Sequence, residues 1–155
     1  GIPFLHSGME FCRTKGGNSN SYKSPDSVNQ IDWSRKKEYH DVFEYYQKLI
    51  QLRKNHPAFR MTDAGQIQKH INFCAEYKIG AVSYCIDGAV VGDSWKNIVI
   101  LFNGSRKEIV HPLPEGTYQI VVNGADFFED NQGDMVSGEV KLHAVSMMIL
   151  VKTEG

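Results

Sequence analysis

The chain has 155 residues, 41% of them hydrophobic and 23% charged, with a formal net charge of −1. This length sets one domain, or one domain plus a piece of another, in a composition ordinary for a soluble globular protein. The near-neutral charge gives no field to draw in nucleic acid or an anionic membrane, no apolar run approaches a membrane span, and neither partner is expected.

The opening run GIPFLH is apolar without alternation. That pattern fits a strand buried on both faces, as in the parallel sheet of an α/β fold, so a strand is expected over Gly1–His6. With no initiator Met and no polar lead-in, it reads as the interior of a longer protein. The stretch from Ser7 to Asn29 is rich in Gly, Asn, Ser, Pro and Asp and is expected to be a loop. Loops of this length in compact domains are usually functional or disordered. Tyr22 among small hydrogen-bonding side chains suits sugar binding; the alternative is a solvated connector. Asp32 or Ser34 is expected to cap a helix in which Tyr39, Val42, Phe43, Tyr46, Leu49, Ile50 and Arg53 recur at helical spacing. Pro57 disfavours the helical conformation at His56 and should end that helix.

After Met61 the texture becomes β. IQKHINFCAEY, AVSYCI, NIVILFN, KEIVHPL, GTYQIVVNG, EVKLHA and SMMILVK are expected strands, separated by Gly, Pro, Asn and Asp. Short strands with regular turns and no intervening helix indicate an antiparallel sandwich. The domain boundary is expected near Met61–Ala64, giving residues 1–61 and 62–155.

Chemistry-bearing motifs are sparse. His6, His40, His56, His70, His111 and His143 are dispersed, with no metal-binding spacing, and neither metal nor cofactor is expected. Ser7 lies in HSGME, which is no nucleophile elbow. Gly16-Gly17 lacks the Lys-Ser/Thr of a phosphate loop. Asn103-Gly104-Ser105 matches a glycosylation sequon at a strand end. Cys12, Cys74 and Cys85 form no CxxC and are expected as free, buried thiols, with a Cys74–Cys85 bridge between neighbouring strands as the alternative. Glycoside hydrolysis needs two carboxylates. Glu10 and Asp26 lie in the loop, but neither has an evident partner, and Glu10 is expected to orient the loop.

The residues G-I-P-F, Gly8-x-Glu10, Arg13-Thr14-Lys15, Asn20-Ser21-Tyr22, Pro25-Asp26-Ser27 and Asn29-Gln30-Ile31-Asp32-Trp33, followed by LIQLRKNHPAFRM, closely resemble the end of the catalytic barrel of type I pullulanases, in the α-amylase superfamily. Beyond Met61 the resemblance is to that family's C-terminal β-sandwich and rests on position and strand texture. Met9 stands where relatives commonly carry a polar residue. The resemblance implies a mainly β chain: an antiparallel β-sandwich preceded by the last strand, loop and helix of a (β/α)₈ barrel. Active sites in that fold lie on loops after the strands. The loop would then line a glucan cleft, with Arg13, Asn18, Asn20 and Tyr22 contacting α-glucan and Glu10, Asp26 and Asp32 orienting the loop. The family's catalytic carboxylates come from earlier strands, so no catalytic residue is expected in this chain. The longer enzyme would hydrolyse α-1,6-glucosidic branch points. Without barrel neighbours the first strand is expected to self-associate through Ile2, Phe4 or Leu5. A rival reading, a carbohydrate-binding sandwich, requires exposed aromatics in a row, for which Trp95, Tyr118, Phe127 and Phe128 are the candidates. A purely stabilising sandwich is the other rival.

Overall fold

The computed structural model describes residues 2–74, 80–128 and 132–153. They fall into two compact units, one over residues 2–52 and one from Arg53 onward. The change of texture at Met61–Ala64 lies inside the second unit.

In the first unit, residues 2–6 form no strand, contrary to the expectation from their apolar run. Ile2 and Phe4 are 97% and 88% exposed, and Gly1 lies outside the described residues. The reason is backbone accounting: a strand exists only where neighbours take up its N–H and C=O groups, and no described segment pairs with this one. The loop that follows carries two short helices, α1 (Asp26–Asn29) and α2 (Arg35–Glu38). The long helix α3 (His40–Asn55) matches the expected periodicity. It ends where expected, because His56 turns extended (φ −112°, ψ 100°) ahead of Pro57. No side chain of α3 is fully buried. Phe43, Tyr46 and Ile50 instead line an open cleft with Leu5, His6 and Glu10.

The second unit starts with a clamp. The Asp93 carboxylate, buried with its residue 6% exposed, faces three donors. These are the His56 ring Nδ1 at 2.8 Å, the Ala58 amide at 2.9 Å and the Trp95 amide at 2.9 Å. Trp95 stacks on the His56 ring with centroids 3.5 Å apart. The clamp ties the turn Pro57–Arg60 to residues 93–95.

Helix α4 (Ala64–His70) follows, and then β1 (Ile71–Phe73). This corrects the strand expected over IQKHINFCAEY. The Asp63 side chain accepts from the Gln66 amide at 2.8 Å, an N-cap that commits Ile67–His70 to helix. Among the described residues of that segment only Ile71–Phe73 is strand, and its residues 75–77 lie outside the described residues. The remaining strands are β2 (Ala81–Asp87), β3 (Asn97–Asn103), β4 (Ile109–Asn123), β5 (Asp126–Phe127), β6 (Met135–Leu142) and β7 (Ser146–Lys152).

The strands form one antiparallel, seven-stranded system in the order β1-β2-β3-β7-β4-β5, with β6 joined to β4. The two strands expected at KEIVHPL and GTYQIVVNG are one long strand, β4, with an irregularity between Pro112 and Thr117. Its first part pairs with β6 and its last part with β7. Changing partners along one strand folds the sheet over itself, which gives the sandwich. The core between the layers draws Val99 and Leu101 from β3, Tyr118 and Ile120 from β4, Val140 and Leu142 from β6, and Met148 and Leu150 from β7. Ile98, Ile100 and Ile149 are buried on the opposite face.

The sequon asparagine is structural. Asn103 is 2% exposed. Its Nδ2 donates to the carbonyls of Lys107 (2.8 Å) and His143 (2.8 Å), and its Oδ1 accepts from the Ser105 amide and hydroxyl. A side chain engaged this way cannot carry a glycan in the folded state.

Two substitutions test these pins. Asn103→Ala and Asp93→Ala each leave buried polar groups unpaired. Each is expected to lower the unfolding free energy by about 2–3 kcal/mol in chemical denaturation. A loss below about 0.5 kcal/mol, the size of a neutral surface change, would show that other contacts hold these turns.

Candidate functional site

The candidate site is the polar loop of the first unit. It is anchored by one aromatic side chain: Phe11, 1% exposed, packs against the Trp33 ring at 5.6 Å between centroids. The chain turns sharply on either side of it. Gly8 has φ 90°, and a Cβ there would sit 2.7 Å from the Arg13 Cβ, so only glycine fits. Cys12 adopts the left-handed conformation (φ 57°, ψ 39°), unusual outside glycine. Its carbonyl accepts from Arg35 Nε at 3.0 Å and Nη2 at 2.6 Å, and this fork holds the strained turn in place.

Asn29 is the hub of the rest. Its Nδ2 donates to the carbonyls of Ser21 and Ser24, both at 2.8 Å. Its Oδ1 accepts from Lys15 Nζ at 3.1 Å, and its backbone carbonyl accepts from Arg13 Nη2. Lys15 Nζ also donates to the Ser21 hydroxyl at 2.5 Å. One amide side chain thus closes the loop across residues 15–29.

The expected substrate residues divide into two groups. Arg13 is spent on the loop itself, donating to the carbonyls of Ser7 (3.2 Å) and Asn29. Its Nε is buried with no hydrogen-bond partner. Asn18 bridges within the loop, from Nδ2 to the Ser24 hydroxyl at 2.8 Å and from the Asn20 amide to its Oδ1 at 3.1 Å. Asn20 and Tyr22 face solvent, Tyr22 being 73% exposed with Lys23 Nζ 5.3 Å from its ring centroid.

Each expected orienting carboxylate has a local position. Glu10 accepts from the Gly8 amide at 3.1 Å. Asp26 opens α1 and is exposed. Asp32 Oδ1 accepts from the Ser34 amide at 3.0 Å and hydroxyl at 2.5 Å. These two Ser34 bonds, helped by Arg35, hold the Asp32 carboxyl below its usual range. The stabilisation they give is present above the unfolded carboxylate pKa and is lost as pH falls through the lowered value.

A cavity of about 480 Å³ opens beside these groups, with Arg13, Lys15, Gly16, Asp32, Trp33 and Arg35 among its lining residues. Trp33 is 67% exposed and, with Lys15, Asn29 and Arg35, was not singled out from sequence as a site residue. The available signal was the lone Trp closing a run of small polar residues. A flat indole, a carboxylate and several cationic or amide donors on one concavity form a surface that can stack on and hydrogen-bond a polyhydroxylated ring. No two described carboxylates face each other across it.

Because Asn29 closes the loop, Asn29→Ala is expected to raise the rate of limited proteolysis within residues 13–25 by about tenfold or more. Melting of the sheet in the second unit should stay within about 1 °C of wild type. Unchanged loop cleavage would show that the hub is dispensable.

Residues 67–126 match the family model for the all-beta domain of pullulanase. The chain is 40% identical over 131 residues to a pullulanase from Bacillus subtilis, an alignment covering 84% of this chain and 18% of that protein. An isoamylase from Flavobacterium sp is 29% identical, over 74% of this chain and 17% of its own length. Among solved structures, a pullulanase from Bacillus acidopullulyticus superposes with a TM-score of 0.90 at 43% identity, covering 98% of this chain and 18% of that one. A pullulanase from Anoxybacillus sp. LM18-11, solved with maltotriose, gives 0.84 at 34% identity, over 99% and 21% of the two chains. The chain therefore spans about a fifth of the length of the relatives it matches. Its antiparallel all-β unit and its loop are thus similar, at this level, to one part of the type I pullulanases.

Proposed function

We propose that this chain works as part of a longer glycoside hydrolase that cleaves α-1,6-glucosidic bonds in branched α-glucans, and that its loop from Arg13 to Trp33 forms one wall of the glucan cleft. The observation that carries this reading is the loop's division of labour. Arg13, Lys15, Asn29 and Arg35 fix its shape, Asn20 and Tyr22 are left facing solvent, and the exposed Trp33 lines the cavity. A recognition loop on a rigid support has this arrangement. Residues 2–6 would supply the last barrel strand and α3 the last barrel helix, each completed by partners in the longer enzyme. The sandwich stabilises the assembly.

One observation favours carbohydrate contact by the sandwich as a second reading. The four rings expected for it form no exposed row: Tyr118 is buried, Phe128 packs on the core, and Trp95 stacks on His56. A different row exists across three strands. Phe73 and Tyr84 lie 5.5 Å apart, and Tyr84 and Phe102 6.3 Å apart, with Phe73 64% exposed. Loss of affinity for soluble starch on Phe73→Ala would favour this reading.

Three outcomes are expected. The chain alone releases no reducing ends from pullulan, since Asp32 is the one carboxylate among the described residues lining the loop's cavity; release above a buffer control would refute this. In the longer enzyme, Tyr22→Ala or Asn20→Ala weakens kcat/KM on branched maltooligosaccharides about fivefold to tenfold, the size of one lost sugar contact, without lowering Tm. Unchanged kinetics in both variants would remove the loop from the cleft. At high micromolar concentration the chain alone sediments as a self-associated species through Ile2, Phe4 and Leu5, and a strictly monomeric boundary would contradict that.

A further inference from the structure

Cys74 and Cys85 belong to the second unit. Both are only partly buried, and their sulfurs are 4.0 Å apart. Cys74 directly follows β1, and its amide donates to the Ser83 carbonyl at 3.0 Å, which carries the β1–β2 ladder one step beyond Phe73↔Tyr84. This register sets Cys74 opposite Ser83, and therefore on the same sheet face as Cys85, its diagonal neighbour. Cys85 packs against the sandwich core, and β1 is the edge strand of the sheet. Cys12 is in the other unit.

We propose that Cys74 and Cys85 are a thiol pair that closes to a disulfide under a small disulfide oxidant, clipping the edge strand β1 onto β2. The balance is two protein thiols plus one molecule of oxidised glutathione giving one protein disulfide and two molecules of glutathione. Cys74 as thiolate attacks the glutathione disulfide and expels one glutathione thiolate. Cys85 then attacks the Cys74 sulfur of the mixed disulfide and expels the second. Each protein thiol loses its proton to solvent, and each glutathione thiolate takes one up. Closure moves the sulfurs from 4.0 Å to the bonded separation of about 2.05 Å. The terminal position of Cys74 on an edge strand allows that adjustment.

The chemistry also sets the order and the speed. Burial, and then the neighbouring Cys74, push the Cys85 thiol up to about 11. Cys85 is therefore almost wholly protonated at neutral pH and is the slow partner. The first glutathione adds at Cys74, and ring closure accelerates about tenfold per pH unit up to the Cys85 pKa. The new bond would span a separation of 11 residues, removing chain entropy from the unfolded state.

The test uses the full chain and oxidised glutathione, followed by alkylation and non-reducing peptide mapping. The expected product is a Cys74–Cys85 linked peptide with Cys12 free of it, a Tm raised by at least about 5 °C and reversed by dithiothreitol, and closure that speeds up with pH. Cys85→Ala should stop at a glutathione adduct on Cys74. Cys74→Ala, at the more peripheral site, should give neither link nor Tm gain. The proposal is overturned if Cys74 and Cys85 both stay alkylatable after oxidation, if Cys12 takes part in the link, or if the linked chain melts no higher than the reduced one.

Discussion

The second unit depends on the antiparallel pairing of β3 with β7, from Ile98↔Val151 to Asn103↔Ser146. These two strands are buried on both faces at their centre. Val99, Leu101, Met148 and Leu150 point into the sandwich, while Ile98, Ile100 and Ile149 are buried on the other side. Each such side chain contributes about 1.5–3 kcal/mol on leaving water. A register slip of one residue would exchange the two faces, so the pairing is strongly specified. The ends of β3 are fixed separately. Asn103 ties its exit to the turn before β7 through the Leu142 and His143 carbonyls, and Asp93 ties the segment before its entry to His56 and Ala58.

The first unit is built by a different principle. Phe11 is its one fully buried large side chain among the described residues, so packing alone cannot hold the loop. Hydrogen bonds from Arg13, Lys15, Asn29 and Arg35 to carbonyls and hydroxyls hold it instead. Such bonds are individually worth about 1 kcal/mol net, but they fix direction as well as distance. A loop held this way presents Tyr22, and Trp33 packed on Phe11, in defined positions without an extended core beneath them. That is the physical case for reading it as a recognition surface rather than as a connector.

Most of the sheet was legible in the sequence, because its strands have continuous or alternating apolar residues bounded by turn residues. NIVILFN and SMMILVK are the strands β3 and β7 as expected. In IQKHINFCAEY the strand holds at Ile71–Phe73, while Ile67–His70 are helix because β-like composition competed with a local cap, Asp63, that the periodicity did not register. The strand expected at Gly1–His6 failed for a non-local reason: sequence shows that a segment is apolar, but not whether partners are there to pair with it. The loop's polar composition left sugar binding and a solvated connector both open, and the family resemblance implied glucan contacts by Arg13, Asn18, Asn20 and Tyr22. The division between residues that build the loop and residues that face outward was not legible. It depends on contacts such as Arg35 with Cys12, 23 positions apart. Asn103 shows the same limit from the other side, since the sequon pattern carries no information about burial.

The proposed function assigns glucan contact to the loop. Hydrogen–deuterium exchange of the longer enzyme, with and without a branched maltooligosaccharide, tests this most directly. The expected result is slower exchange within residues 13–33 on binding, with β3 and β7 protected equally in both states. Slower exchange in β1 to β3, with none in residues 13–33, would contradict it and move the contact to the Phe73–Tyr84–Phe102 face.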